Sequence, residues 1–196
     1  MADPSDSDDD YSEIVELLEW AIDQKRKYAG FWSWPDREVA ERGVAQELLD
    51  GIGPHVGGRC LRVRSTGAGN DPPDCVADLE AGGQVGIEVT ELVDQAHAGG
   101  SPTKWAFWDV DKFRSLINQR LHRKDDPSTV KGGPYVKYIV ALHTDEPLLS
   151  AAQVREYLQG ATFGPFRLID AAWVVVSHEP PDGCLCIPVP FTRQDA

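Results

Sequence analysis

The chain has 196 residues, 41% of them hydrophobic and 26% charged, and a formal net charge of −13. That is enough for one domain with a full core, without metal or disulfide staples. At that charge, contact with nucleic acid needs a local basic patch or metal ions. No apolar run approaches the roughly 20 residues that cross a bilayer, so no membrane partner is expected.

Residues 1–10, MADPSDSDDD, carry five of the negative charges and leave about −8 for the rest. The stretch reads as a disordered acidic tail rather than a signal or transit peptide, and a cytoplasmic location is the expectation. Residues 11–196 read as a single domain. YSEIVELLEWAIDQKRKYA (11–29) has helical spacing, with Ile14, Leu17, Leu18, Ala21 and Ile22 on one face. A second helix is expected over about 34–52, with Ser33 and Asp36 as a capping box and Pro35 in its first turn. Gly51 and Gly53-Pro54 close it.

Three strands follow, RCLRVRS (59–65), DCVADLEA (74–81) and QVGIEVTEL (84–92), the last two joined at Gly82-Gly83. A helix is predicted over 108–124, a loop over DDPSTVKGGP, a buried strand over 135–143, a helix over 150–160 and a buried strand over 171–178. A hairpin then leads to GCLCIPV. The predicted fold is α/β: a mixed central sheet flanked by helices, with an α-β-β-β-α-β core.

The four cysteines, Cys60, Cys75, Cys184 and Cys186, contain no CxxC pair; alternation sends both thiols of CLC to one strand face, and buried free thiols are expected rather than zinc. The five histidines show no metal spacing, and no GxSxG elbow is present. HAGGSP (97–102) reads as a loop placed to act as a flap.

Carboxylates carry the chemical signal. In QVGIEVTEL, Val85, Ile87 and Val89 share one face while Gly86, Glu88 and Thr90 share the other, and the glycine leaves that second face room for a ligand. Asp74 opens the neighbouring strand of the hairpin, within reach of a divalent cation shared with Glu88. On the helix over 34–52, Glu41 falls in the middle of the apolar face, where a carboxylate must be neutral, paired or aimed at a cation. Glu91 alternates to the other strand face and Asp78 reads as a solvent-side residue.

Pro73-Asp74 and Ile87-Glu88-Val89-Thr90, set in an α-β-β-β-α-β order, resemble the PD-(D/E)xK nuclease superfamily, or restriction-endonuclease-like fold. The resemblance covers residues 36–143 and rests on a short motif. It implies a metal-dependent nuclease cutting phosphodiester bonds, most simply in DNA. Asp74, Glu88, the Val89 carbonyl and Glu41 would be ligands to Mg²⁺ or Mn²⁺. The motif lysine is replaced by Thr90, which can orient a water but carries no charge. Arg120 is the favoured replacement cation, with Lys124 one turn later, and QRLHRK (119–124) with Lys131 and Lys137 is the candidate backbone contact. Loss of the lysine and the negative charge favour the alternative, a catalytically inactive nuclease fold serving as a protein-binding or regulatory module. A third reading is an acidic mimic of nucleic acid. The tryptophans, among them Trp32, Trp34, Trp105 and Trp108, offer a partner surface or core packing.

Overall fold

The computed structural model describes residues 36–56, 58–67, 72–93, 108–146, 148–179 and 183–194. The expected helix at 11–29, the residues Ser33, Pro35, Trp32, Trp34 and Trp105, and the candidate flap at 97–102 lie outside them. The described elements are α1 (Arg37–Ile52), a 3₁₀ turn (Gly53–Val56), β1 (Cys60–Ser65), β2 (Cys75–Leu79), β3 (Gln84–Glu91), α2 (Val110–Lys124), β4 (Lys137–Thr144) and α3 (Ala151–Leu158). They continue with β5 (Phe163–Phe166), β6 (Ala171–Glu179), β7 (Gly183–Pro188) and β8 (Phe191–Arg193). The result is a mixed α/β fold.

The main sheet runs β1-β2-β3-β4-β6-β7. β3, β4 and β6 are parallel, and β1, β2 and β7 join antiparallel at the edges. Gly82 and Gly83 both take φ of 91°, the left-handed turn that the β2–β3 hairpin requires. β5 and β8 form a separate two-stranded parallel sheet that the sequence reading did not anticipate. FGPF holds a proline and a glycine, which hide a strand from pattern reading.

Alternation along the strands makes two cores. α1 lays Val44, Ala45, Leu48 and Ile52 against Val85, Ile87, Val89, Ile139 and Ala141. α2 and α3 cover the opposite face, where Phe113, Ile117 and Leu121 meet Val140, Leu142 and Val174. The faces predicted for β3 are the faces observed.

The caps sharpen the expected boundaries. Asp36 itself caps α1, its carboxylate accepting from Val39 N at 3.3 Å, so the helix starts at Arg37 rather than 34. Asp109 caps α2, and Ser150 with Gln153 makes a capping box on α3. All four cysteines are free; Cys75 is buried, but Cys60, Cys184 and Cys186 are half-buried rather than fully enclosed.

Candidate active site

Asp74 sits one residue before β2, where the chain leaves the sheet. The segment leading to it is fixed from two sides: Lys131 N donates to Pro72 O at 2.8 Å, and Thr66 N donates to Asp74 O at 3.0 Å. Its carboxylate then reaches across the strand pair, Oδ2 accepting from Val89 N at 2.7 Å. One register step beyond the Cys75–Ile87 pair, Asp74 stands opposite Glu88. In an extended strand a residue's N–H and C=O point the same way, so the Val89 carbonyl faces the same margin as Asp74. β2 pairs with β3 only as far as Ile87, leaving that margin outside the β2 ladder.

Glu88 lies on the α2 side of the sheet, level with Val140 of β4. It is 1% exposed. Lys124, the last residue of α2, delivers its ammonium to Glu88 Oε1 in an ion pair. The helix end that carries this lysine is fastened by Asp125, whose carboxylate accepts from Arg167 N (2.8 Å), Leu168 N (2.7 Å) and Ile169 N (3.2 Å). A cation at a helix C-terminus is also favoured by the helix dipole.

The third carboxylate comes from α1. Glu41, 6% exposed, accepts from Arg37 Nε at 2.6 Å one helical turn earlier. The same guanidinium stands 3.9 Å from Asp74 Oδ1, so Arg37 spans Glu41 and Asp74. Cys75 lies among these charges. Burial first, then the negative charges of Asp74, Glu41 and Glu88 against the pull of Arg42, push its thiol up to about 12. Two clusters result: Glu41 and Asp74 share Arg37 on the α1 side, and Glu88 meets Lys124 on the α2 side.

Arg120 serves elsewhere. Its charge opposes burial and the carboxylates of Asp145 and Glu146, which together push Glu91 up to about 8. Its Nε is buried without a hydrogen-bond partner among the described residues. The cation that reaches Glu88 is Lys124. Arg37 was not singled out in the sequence, although its i,i+4 spacing from Glu41 was there to be read. Thr90 is half-buried on the Glu88 face, one alternation step further along β3.

The space beside Gly86 is not open to a ligand, contrary to the sequence reading. A Cβ added there would stand 3.2 Å from the Tyr135 ring and 3.3 Å from Pro73, so the protein fills that space itself. The basic stretch 119–124 is likewise not one continuous surface. Leu121 is buried, His122 packs edge-on to Phe166, and Lys137 donates to His55 O at 2.8 Å. Trp108 is a core residue, 7% exposed. Asp78, half-buried on β2 between β1 and β3, accepts from Arg64 at 2.8 and 3.0 Å.

The carboxylate oxygens and main-chain carbonyl are donors of the kind a hard divalent ion takes, and the Cys75 thiol among them is pushed up to about 12. Among the described residues, no three His, Cys, Asp or Glu side chains are grouped to hold a metal as they stand. An ion would therefore enter by displacing Arg37 or Lys124. No helix among the described residues is long and apolar enough to cross a membrane. No protein-family model, curated protein or solved structure matches the chain.

Proposed function

We propose that the protein is a metal-dependent phosphodiester hydrolase of the PD-(D/E)xK type, acting on DNA, in which Lys124 takes the place of the missing motif lysine. The observation that carries this reading is the ammonium of Lys124 on Glu88, in the strand position next to Asp74 and Val89. A lysine two residues after the second acid would reach the same carboxylate from the strand; here it arrives from the end of α2.

Asp74, Glu88 and the Val89 carbonyl would hold Mg²⁺ or Mn²⁺, with Glu41 as the candidate further ligand. Such an ion supplies neutralisation of phosphate charge and a more acidic water for in-line attack. The chain's own residues do the rest. The Val89 amide keeps Asp74 turned toward β3. Lys124, released from Glu88, donates to the attacking water and offsets the charge that develops on the phosphate. The Thr90 hydroxyl, on the same strand face, positions that water. Arg37, with its side chain 62% exposed, would meet a neighbouring backbone phosphate.

The second reading, a protein-binding module with the same fold, draws support from the cations already seated on all three carboxylates. The two part in one experiment. Wild type and Glu88→Ala are incubated with plasmid, linear and single-stranded DNA plus Mg²⁺ or Mn²⁺, and Mn²⁺ uptake is followed by calorimetry. Cleavage and uptake that both disappear with Glu88 fit the hydrolase; uptake without cleavage fits the module. Equal behaviour of the two proteins, with neither cutting nor binding, removes the metal site altogether.

A further inference from the structure

Asp74 follows two prolines, and a proline offers no backbone N–H. Pro72 and Pro73 can therefore be held only by their carbonyls and their rings. All three carbonyls of the segment are taken. Thr66 N donates to Asp74 O at 3.0 Å, the Thr66 hydroxyl to Pro73 O at 2.5 Å, and Lys131 N to Pro72 O at 2.8 Å. Thr66 directly follows β1, and Lys131 belongs to the loop that leads into β4.

That loop is wrapped around one side chain. The Tyr135 hydroxyl donates to Lys131 O at 2.7 Å, closing a ring across Gly132, Gly133 and Pro134. The two glycines take φ of 71° and 83°. A Cβ at Gly132 would stand 2.7 Å from the hydroxyl oxygen, so the turn has no space for a side chain there. Val136 N donates to Gln84 O at 2.7 Å and ties the far end of the loop to the start of β3. The Tyr135 ring lies over Gly86 beside Pro73: a Cβ at position 86 would be 3.2 Å from the ring and 3.3 Å from Pro73 Cγ.

We propose that Tyr135 is a positioning residue of the proposed hydrolase, setting the Asp74 carboxylate against Val89 through Lys131, Pro72 and Pro73. Its role in cleavage rests on the hydrolase reading; the mechanical link from Tyr135 to Asp74 does not. The hydroxyl fixes the Lys131 carbonyl, and the Lys131 amide fixes Pro72. The ring fills the space over Gly86 into which Pro73 would otherwise tip. Asp74 then leaves the segment with its carboxylate 2.7 Å from Val89 N. A metal ligand placed in this way tolerates little error, since a misplacement of about 1 Å costs on the order of a hundredfold in rate.

Tyr135→Phe keeps the ring over Gly86 and removes the hydroxyl. Hydrogen exchange followed by NMR on the full-length protein should show the Val89 amide exchanging about two- to tenfold faster, the change that loss of one hydrogen bond sustains. The Thr90 amide, turned toward β4 by strand alternation, should change less. In plasmid cleavage with Mg²⁺, kcat should fall while KM for DNA stays the same. Unchanged Val89 exchange, or equal acceleration at Val89 and Thr90, overturns the link whatever the activity. A raised KM with unchanged kcat also overturns the positioning role, because it makes Tyr135 a substrate contact. Faster exchange at Val89 in a protein whose wild type neither cuts DNA nor takes up Mn²⁺ removes the hydrolase reading and supports the link from Tyr135 to Asp74.

Discussion

Replacing Lys124 by methionine keeps the length of the side chain and removes its charge, so it isolates what the ammonium does. Glu88 is 1% exposed and would be left as a buried carboxylate without that partner. Breaking a fully buried pair in this way costs about 3–5 kcal/mol. The Lys124 side chain is itself 30% exposed, so water replaces part of what is lost and the expected cost falls to about 2–3 kcal/mol. For a chain of this size that lowers Tm by about 5–10 °C in a calorimetric scan. Glu88→Gln should cost only about 1 kcal/mol, because the lysine can turn outward to water. The double substitution should then be more stable than Lys124→Met alone. Mn²⁺ supplies the discriminating arm. A cation that takes the place of the ammonium on Glu88 should restore the melting temperature of Lys124→Met, by about 2.7 kcal/mol at a hundredfold excess over Kd. Cleavage should stay absent, since the metal cannot do what the lysine does. Additive single substitutions, within about 0.5 kcal/mol, would mean that no buried pair exists. A Lys124→Met protein indifferent to Mn²⁺ would refute the metal site.

Gly86→Ala should destabilise by about 1–3 kcal/mol in urea titrations, because its methyl meets the Tyr135 ring at 3.2 Å and must displace it; a neutral change would show that the loop yields freely. Asp125→Ala unpins the backbone amides of 167–169 and frees the end of α2, for an expected loss of about 1–3 kcal/mol and, in the proposed hydrolase, a larger fall in kcat than in substrate affinity. His143, 2% exposed, is held down to about 4 by burial and is neutral in the folded chain at pH 5. The unfolded chain takes up a proton first, at 6.5, so this contribution is intact above 6.5 and is lost as pH falls toward 4. It amounts to about 3 kcal/mol. His143→Gln should flatten the urea midpoint across that window; an unchanged slope would place the acid sensitivity elsewhere.

Periodicity carried most of the fold. β3 announced its two faces because Val85, Ile87 and Val89 alternate with Gly86, Glu88 and Thr90, and burial on both sides of the sheet preserves that alternation. The buried position of Glu41 was legible on the helical wheel for the same reason. What escaped reading was set by tertiary reach. A lysine at the end of a helix and a glutamate on a strand 36 residues earlier share no local pattern, and only the docking of α2 decides whether position 120 or 124 arrives at Glu88. Gly86 misled because a missing side chain signals close approach without saying what approaches; a tyrosine from the β4 side took the space. β5 and β8 were invisible because their pairing is parallel and non-local, with few residues in each strand.

The balance of charge at the α1–β2–β3 junction explains how such a site can fold before any ligand arrives. Three carboxylates, each under a tenth exposed, would repel one another and the core if left bare. Arg37 meets Glu41 and Asp74 from α1, and Lys124 meets Glu88 from the end of α2. Both side chains reach water, with exposures of 62% for Arg37 and 30% for Lys124. In the proposed hydrolase, a divalent ion taking the place of these side chains would trade one compensated state for another. The carboxylates would then stay fixed, and the two cations would move to the phosphate backbone of the proposed substrate.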